Sequence, residues 1–242
     1  MDIHLKTGAV LRVLRAPKSE PCPAVLVLAG MGTDILTSRT HAEMAERLKA
    51  IGYTCGLLQV RGYPGAAGDK ATVSRSDHLE DAMAAYEVLQ KNFDCVDPDR
   101  ICGFGTSYGG YIMAILAGYA PLRLLGLRAP ALYPDEGFSH PMLDVYEDPL
   151  LDEWFSVLRR VRDSQALQGI SGLEGRLLVI SSGVDEQIPH AVVESYLAAG
   201  RYAEKCEEWV IFGASHAVHG EFRETFLRMF TAWFVNNYPG PS

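Results

Sequence analysis

Residues 103–109, "GFGTSYG", place Ser107 between Gly105 and Gly109 directly after an apolar run. A serine hydroxyl is a weak nucleophile until a base takes its proton and a third group orients that base. The G-x-S-x-G spacing suits this use. It puts the serine on a sharp strand-to-helix turn, and the glycines let backbone segments crowd together without a Cβ clash. The competing reading is a glycine-rich phosphate loop. A dinucleotide fingerprint needs a third glycine where Tyr108 stands, and no glycine is followed by the Lys-Ser or Lys-Thr of a P-loop. The following stretch, "YGGYIMAILAG", is apolar all round, as a helix buried beneath a site should be.

The base and its partner must come from elsewhere in the chain. In "VISSGVDEQIPH", Asp185 follows an apolar run at 176–183; in "VIFGASHAVHG", His216 follows one at 207–213. Both therefore belong at strand ends, and with Ser107 they stand in the order Ser, Asp, His. The reading assigns Ser107 as nucleophile, His216 as base and Asp185 as the group that orients it. Asp185 is also suited to capping a helix near Ile188, and Asp135 is the alternative acid. His219 is the alternative base, although it falls where the terminal helix should start, and Glu186 is expected to be solvated. The backbone N–H of Tyr108, next after the nucleophile, is an expected donor to an oxyanion.

These residues need a scaffold that gathers strand ends. Short apolar runs at 24–30, 54–60, 100–105, 122–129, 176–183 and 207–213 read as strands of a parallel sheet buried on both faces. Residues 8–16 alternate and suit an antiparallel edge. Between the runs lie helical patterns. Met44, Leu48 and Ile51 mark one face, with Thr40 and Glu43 as a capping box; Leu79, Met83, Tyr86 and Leu89 mark another. Phe222, Phe226, Met229, Phe230 and Trp233 form a terminal stripe wide enough to cover a sheet. This alternation predicts an α/β fold, a mostly parallel central sheet with helices on both faces and sites at the carboxyl ends of the strands.

One stretch interrupts the pattern. Residues 132–174 are acidic and proline-containing with no strand, and only "LDEWFSVLRRVRDSQAL" reads as a helix. The expectation is a single domain over 1–242 with a small cap inserted at 132–174. Tyr133, Phe138 and Trp154 are its candidate substrate-binding residues. The chain has 242 residues, 48% of them hydrophobic, and a formal charge of -8, which opposes nucleic acid and anionic membranes as partners. A small-molecule substrate is the expected partner; oligomeric state is not legible. The five cysteines are scattered without a C-x-x-C pair, suggesting neither a disulfide framework nor a zinc site. Cys102 reads as a core residue. "MDIHLKTG" lacks an export signal's pattern, so a cytoplasmic location is expected. Neither a cofactor nor a metal is implied.

Together, "DPDRICGFGTSYGGYIMAILAG", "GVDEQIP" and "GASH" resemble the α/β-hydrolase superfamily, particularly its prolyl-oligopeptidase-like and dienelactone-hydrolase-like branches, over roughly residues 20–237. The resemblance implies the α/β-hydrolase fold and acyl transfer to Ser107 through an acyl-enzyme. It also implies a second oxyanion donor on the loop "LAGMGTD": Met31, with Gly32 as the alternative because Ala29 replaces the family's usual histidine. The segment "QVRGYPGAAG" resembles the family's Asp-x-Arg-Gly-x-Gly loop, with Gln59 and Pro64 departing from it and Arg61 in a structural role. Nothing in these residues marks a peptide-binding propeller, so the expected substrate is a small ester or thioester. The alternatives are a peptidase-like or C–C bond hydrolase on the same triad, or a non-catalytic ligand-binding protein on the same fold.

Overall fold

Apolar runs without alternation are stable only where both sheet faces are covered. The structure, a computed structural model, describes residues 1–17 and 20–237. Six such runs form the parallel part of one sheet: β3 (Cys22–Leu28), β4 (Thr54–Gln59), β5 (Val96–Thr106), β6 (Leu124–Arg128), β7 (Arg176–Ser182) and β8 (Lys205–Ile211). With β1 (Asp2–His4) and β2 (Val10–Leu14) the order is β1-β2-β4-β3-β5-β6-β7-β8. β2 is antiparallel to β4, as its alternation suggests, but it is not the edge. A hairpin turned at Gly8, whose φ is 99°, lays β1 outside it.

The chain leaves β3 for β4 on one side and later returns to β5 on the other. A reversal of this kind opens a crevice at the carboxyl ends of the two central strands. The loop after β3 and the turn after β5 therefore meet there.

On one sheet face lie α1 (Arg39–Ala50) and α8 (Gly220–Asn237), with Met44, Leu48, Phe226, Phe230 and Trp233 packed in one core. On the other lie α2 (Arg75–Lys91), α3 (Tyr108–Leu116), α6 (Gln165–Ser171) and α7 (His190–Ala199). All nine residues of α3 are buried, as its uniform apolarity requires. Cys102 is buried in β5, where burial pushes its thiol up to about 12. Among the described residues no helix is long and apolar enough to cross a membrane.

Several expectations are corrected. The N-cap of α1 is Ser38, not Thr40, because the helix begins earlier and the Ser38 hydroxyl accepts from His41 N–H. Met83 points outward at 38% exposure; α2 instead buries Ala82 and Ala85 together with the polar residues Arg75, His78 and Asp81. The stretch 151–167 is not one helix. It breaks into α5 (Leu151–Ser156), a 3-10 turn at Val161–Asp163 and the start of α6. Local polar groups compete with the helix: Asp163 accepts from Arg160 N–H, Ser164 caps α6, and Ser195 accepts from Arg159 N–H.

Within 132–174, α4 (Met142–Tyr146), α5 and their connection stand over the crevice, whereas α6 buries Ala166, Leu167 and Ile170 in the helical layer with α3. The part of the expected cap that lines the crevice is Tyr133 and residues between Leu143 and Phe155. Its base is fixed by Arg75, which is fully buried. The Arg75 guanidinium donates to the carbonyls of Pro134 and Glu136, each at 2.5 Å, and lies 5.6 Å from the Phe138 ring centroid.

Candidate active site

The turn between β5 and α3 is tight enough to hold Ser107 at φ 51° and ψ -119°, a conformation that costs an L-residue energy. Its neighbours must then lack side chains. A Cβ on Gly105 would lie 2.6 Å from Gly110 Cα, and one on Gly109 would lie 2.6 Å from the Leu28 carbonyl oxygen. The turn is pinned across the sheet, since Ser107 N–H donates to the Arg128 carbonyl at 2.9 Å. The hydroxyl is thereby presented to the crevice.

The loops after β7 and β8 meet it there. Ser107 Oγ lies 3.1 Å from His216 Nε2, and His216 Nδ1 lies 3.0 and 3.1 Å from the two Asp185 carboxylate oxygens. A carboxylate only accepts, so Nδ1 carries the proton and Nε2 is free to accept from the serine. Asp185 also accepts from the backbone N–H groups of Gln187 and Ile188, so its capping role and its contact with His216 coexist. Burial pushes the Asp185 carboxyl up, but the hydrogen bonds from His216 and the backbone outweigh it and hold the group below its ordinary value. The two alternatives are not part of this arrangement. Asp135 accepts from Gln165 N–H, and His219 precedes α8, where its carbonyl accepts from Phe222 N–H.

Two charged residues hold the His216 loop, and neither carries a local signal of that role. Arg128, only 2% exposed at the end of β6, donates from Nη1 to the His216 carbonyl and from Nη2 to Ser215 O at 3.2 Å and Ser182 Oγ at 2.6 Å. Burial lowers its guanidinium to about 10 against the opposing pull of Asp185 and Glu186. Glu186, expected to be merely solvated, accepts from His216 N–H at 3.0 Å, and that bond lowers its carboxyl. A residue at the end of an apolar strand gives no local signal of polar work.

Around Ser107 is a cleft of about 1040 Å³. One wall carries Met31, Thr33, Ser38, His41 and Met44; the cap supplies Leu143, Leu151 and Phe155, with Glu147, Asp148 and Asp152. Burial lowers the His41 imidazole to about 4, so this wall residue is neutral. Of the candidate substrate residues, Tyr133 lines the cleft, whereas Phe138 and Trp154 do not. Phe138 packs on Arg75, and Trp154 donates to Leu132 O while stacking under Arg159 at 3.9 Å. Both are spent on the cap's own packing, an outcome fixed by contacts far apart in sequence.

The backbone N–H groups of Met31 and Tyr108 have no acceptor among the described residues, Tyr108 as the first residue of α3. Gly32 N–H instead donates to the Tyr63 hydroxyl at 3.2 Å. A Cβ on Gly30 would lie 3.2 Å from Ser107 Cβ, so the loop after β3 runs against the nucleophile. Arg61 ion-pairs with Asp81 at 2.9 Å, and Gln59 joins Ile35 N–H to the Pro64 carbonyl.

The comparisons with known proteins agree with this architecture. Residues 72–126, from the start of α2 through the nucleophile turn into β6, match the prolyl oligopeptidase family model. Rv2307c, an uncharacterized protein of Mycobacterium tuberculosis, is 33% identical over 80% of this chain, which spans 63% of that relative's length. Est1E from Butyrivibrio proteoclasticus, solved with ferulic acid bound, superposes with a TM-score of 0.76 at 18% identity, covering 98% of each chain. Porphyromonas gingivalis dipeptidyl peptidase 4 superposes with a TM-score of 0.69 at 18% identity, covering 98% of this chain and 35% of its own. In its sheet order and helical layers the chain has the α/β-hydrolase fold, and over residues 72–126 its sequence is similar to the prolyl oligopeptidase family.

Proposed function

We propose that the protein is a serine hydrolase that cleaves an ester or thioester of a small organic acyl group through an acyl-enzyme. The observation that carries this reading is the continuous line from Ser107 Oγ to His216 Nε2 and from Nδ1 to Asp185, at 3.0–3.1 Å, on a turn that exposes the serine. In this mechanism His216 Nε2 takes the hydroxyl proton as Ser107 Oγ attacks the carbonyl carbon. The N–H groups of Met31 and Tyr108 receive the developing oxyanion, where in a water-poor site one such donor is worth about 3 kcal/mol of barrier. The C–O or C–S bond then breaks, and the imidazolium returns its proton to the leaving group. Water repeats the sequence on the acyl-serine, with Asp185 holding the same tautomer throughout.

Among the described residues that line the cleft, Glu147, Asp148, Asp152 and Glu186 face one exposed cation, Lys70, so the proposed substrate is neutral or cationic. The prolyl oligopeptidase match favours peptide-bond cleavage as the second reading. The test is incubation with a fluorophosphonate probe followed by intact mass, with wild type beside Ser107→Ala. One adduct on wild type alone is expected, followed by faster turnover of p-nitrophenyl esters than of aminoacyl p-nitroanilides. A folded protein that takes no adduct would bring forward the ligand-binding alternative.

A further inference from the structure

Two turns far apart in sequence must agree to within a few tenths of an ångström if the N–H groups of Met31 and Tyr108 are to meet one oxygen, because donor strength falls steeply with distance and angle. The loop after β3 closes a local turn over Met31 and Gly32, with Gly32 at φ 78° and Thr33 N–H donating to the Gly30 carbonyl at 3.2 Å, but a local turn does not set where the loop sits against Ser107. Something outside must.

We propose that Tyr63 and His78 are positioning residues that fix the two arms of the oxyanion hole to one common segment, residues 61–63; the proposal rests on the hydrolase reading above. On the first arm, the Tyr63 hydroxyl accepts Gly32 N–H at 3.2 Å. That bond takes Gly32 out of contention as a donor to substrate and leaves Met31 N–H as the loop's free donor. On the second arm, His78 Nε2 lies 3.0 Å from the Arg61 carbonyl, which can only accept, so Nε2 bears the proton. Nδ1 is then a lone pair, and the Tyr108 hydroxyl donates to it at 2.6 Å.

The two arms thus close on a single piece of backbone. The Tyr63 and His78 rings stand 6.0 Å apart, and the His78 and Tyr108 rings 5.6 Å apart edge to face. The segment is itself clamped: Arg61 donates through its backbone N–H and Nε to the two oxygens of the buried Asp81, at 2.8 and 2.9 Å. His78 is fully buried, and burial lowers its imidazole to about 4, so this link stays neutral at the pH of a working hydrolase. None of these side chains touches the reacting atoms; they act through the placement of two N–H groups.

Tyr63→Phe and Tyr108→Phe each keep the ring and remove one hydroxyl. With p-nitrophenyl butyrate, each variant is expected to lose about tenfold in kcat while KM stays within about twofold. The inhibition constant of an alkyl boronic acid, which becomes tetrahedral on Ser107, should rise by the same factor as kcat falls. The constant of the product butyrate, which forms no oxyanion, should stay at the wild-type value. A boronate constant equal to wild type in folded Tyr63→Phe overturns the proposal. So does a loss of butyrate and boronate binding in equal measure in both variants, which is what general loosening of the cleft would give. Failure of the hydrolase reading is a different result: a wild type that turns over no ester and takes no phosphonyl group on Ser107.

Discussion

On the proposed relay side of the site, Arg128 and Glu186 grip the His216 loop with full charges; on the proposed oxyanion side, Tyr63 and His78 hold Gly32 and Tyr108 through neutral groups. The difference follows from what each side must tolerate. During the proposed reaction His216 becomes a cation, and the carboxylates of Asp185 and Glu186 beside it more than offset the guanidinium of Arg128. In the same proposed reaction the oxyanion side receives a negative oxygen, which an unpaired carboxylate would oppose; the Asp81 carboxylate there is paired with Arg61, and a buried free cation would be costly to desolvate. Neutral dipoles with fixed geometry stabilise that charge without reorganising. Arg128 ties Ser107 to the relay side, since its carbonyl receives Ser107 N–H while its guanidinium holds the His216 loop.

The sharpest test of the comparison silences both sides at once. Ser107→Ala should fold normally and lose at least about a thousandfold in kcat, as removal of one triad member does. Retained ester hydrolysis by a purified variant would take the nucleophile, and with it the whole division, off Ser107. Next in size is Arg128→Met, which keeps the volume but leaves the His216 carbonyl without a donor and the Ser215 carbonyl with the Ser182 hydroxyl alone. We expect about a hundredfold loss in kcat and about 3 kcal/mol of stability in urea unfolding. Wild-type kcat with lowered stability would make Arg128 a packing residue only.

Acid should expose the cost of neutrality. His41 and His78 are each lowered from 6.5 to about 4 by burial, so between these values the unfolded chain binds protons that the folded chain does not. Stability is therefore full above about pH 6.5 and falls as pH drops towards 4, by up to about 3 kcal/mol for each histidine. Asp185, held below its ordinary value, withdraws its own contribution at still lower pH. Thermal midpoints measured from pH 7.5 to 4 should follow this slope; a flat profile would contradict the neutral clamp. The smallest effect expected is that of Glu186→Gln, which keeps an acceptor for His216 N–H but loses the charge. It should cost about threefold in kcat/KM at low salt and less at 0.5 M, because the group is exposed.

The legible parts of this protein are those whose signal is local. Unbroken apolarity gave the parallel strands and α3; Gly105, Ser107 and Gly109 gave the turn; Asp185 and His216 stood where strands end, and the structure brings them to Ser107. Met83 misled because the period of α2 leaves it at the rim of a face filled by Ala82, Ala85 and His78, and a polar residue inside a helix carries no mark of burial. The long cap helix misled because Asp163, Ser164 and Ser195 compete for its backbone, the last from 36 residues away.

By itself, then, the sequence determined the alternation of strand and helix and the residue types at the strand ends, since apolar periodicity and glycine placement act over a few neighbours. Only the tertiary structure decided that Gly32 N–H belongs to Tyr63, that Phe138 and Trp154 pack on Arg75, Arg159 and Leu132 rather than line the cleft, and that Arg128 links Ser107 to the His216 loop. Each of these is a hydrogen bond or ring contact between segments that meet only once the sheet has assembled. A polar group chooses its partner by what burial leaves within about 3 Å.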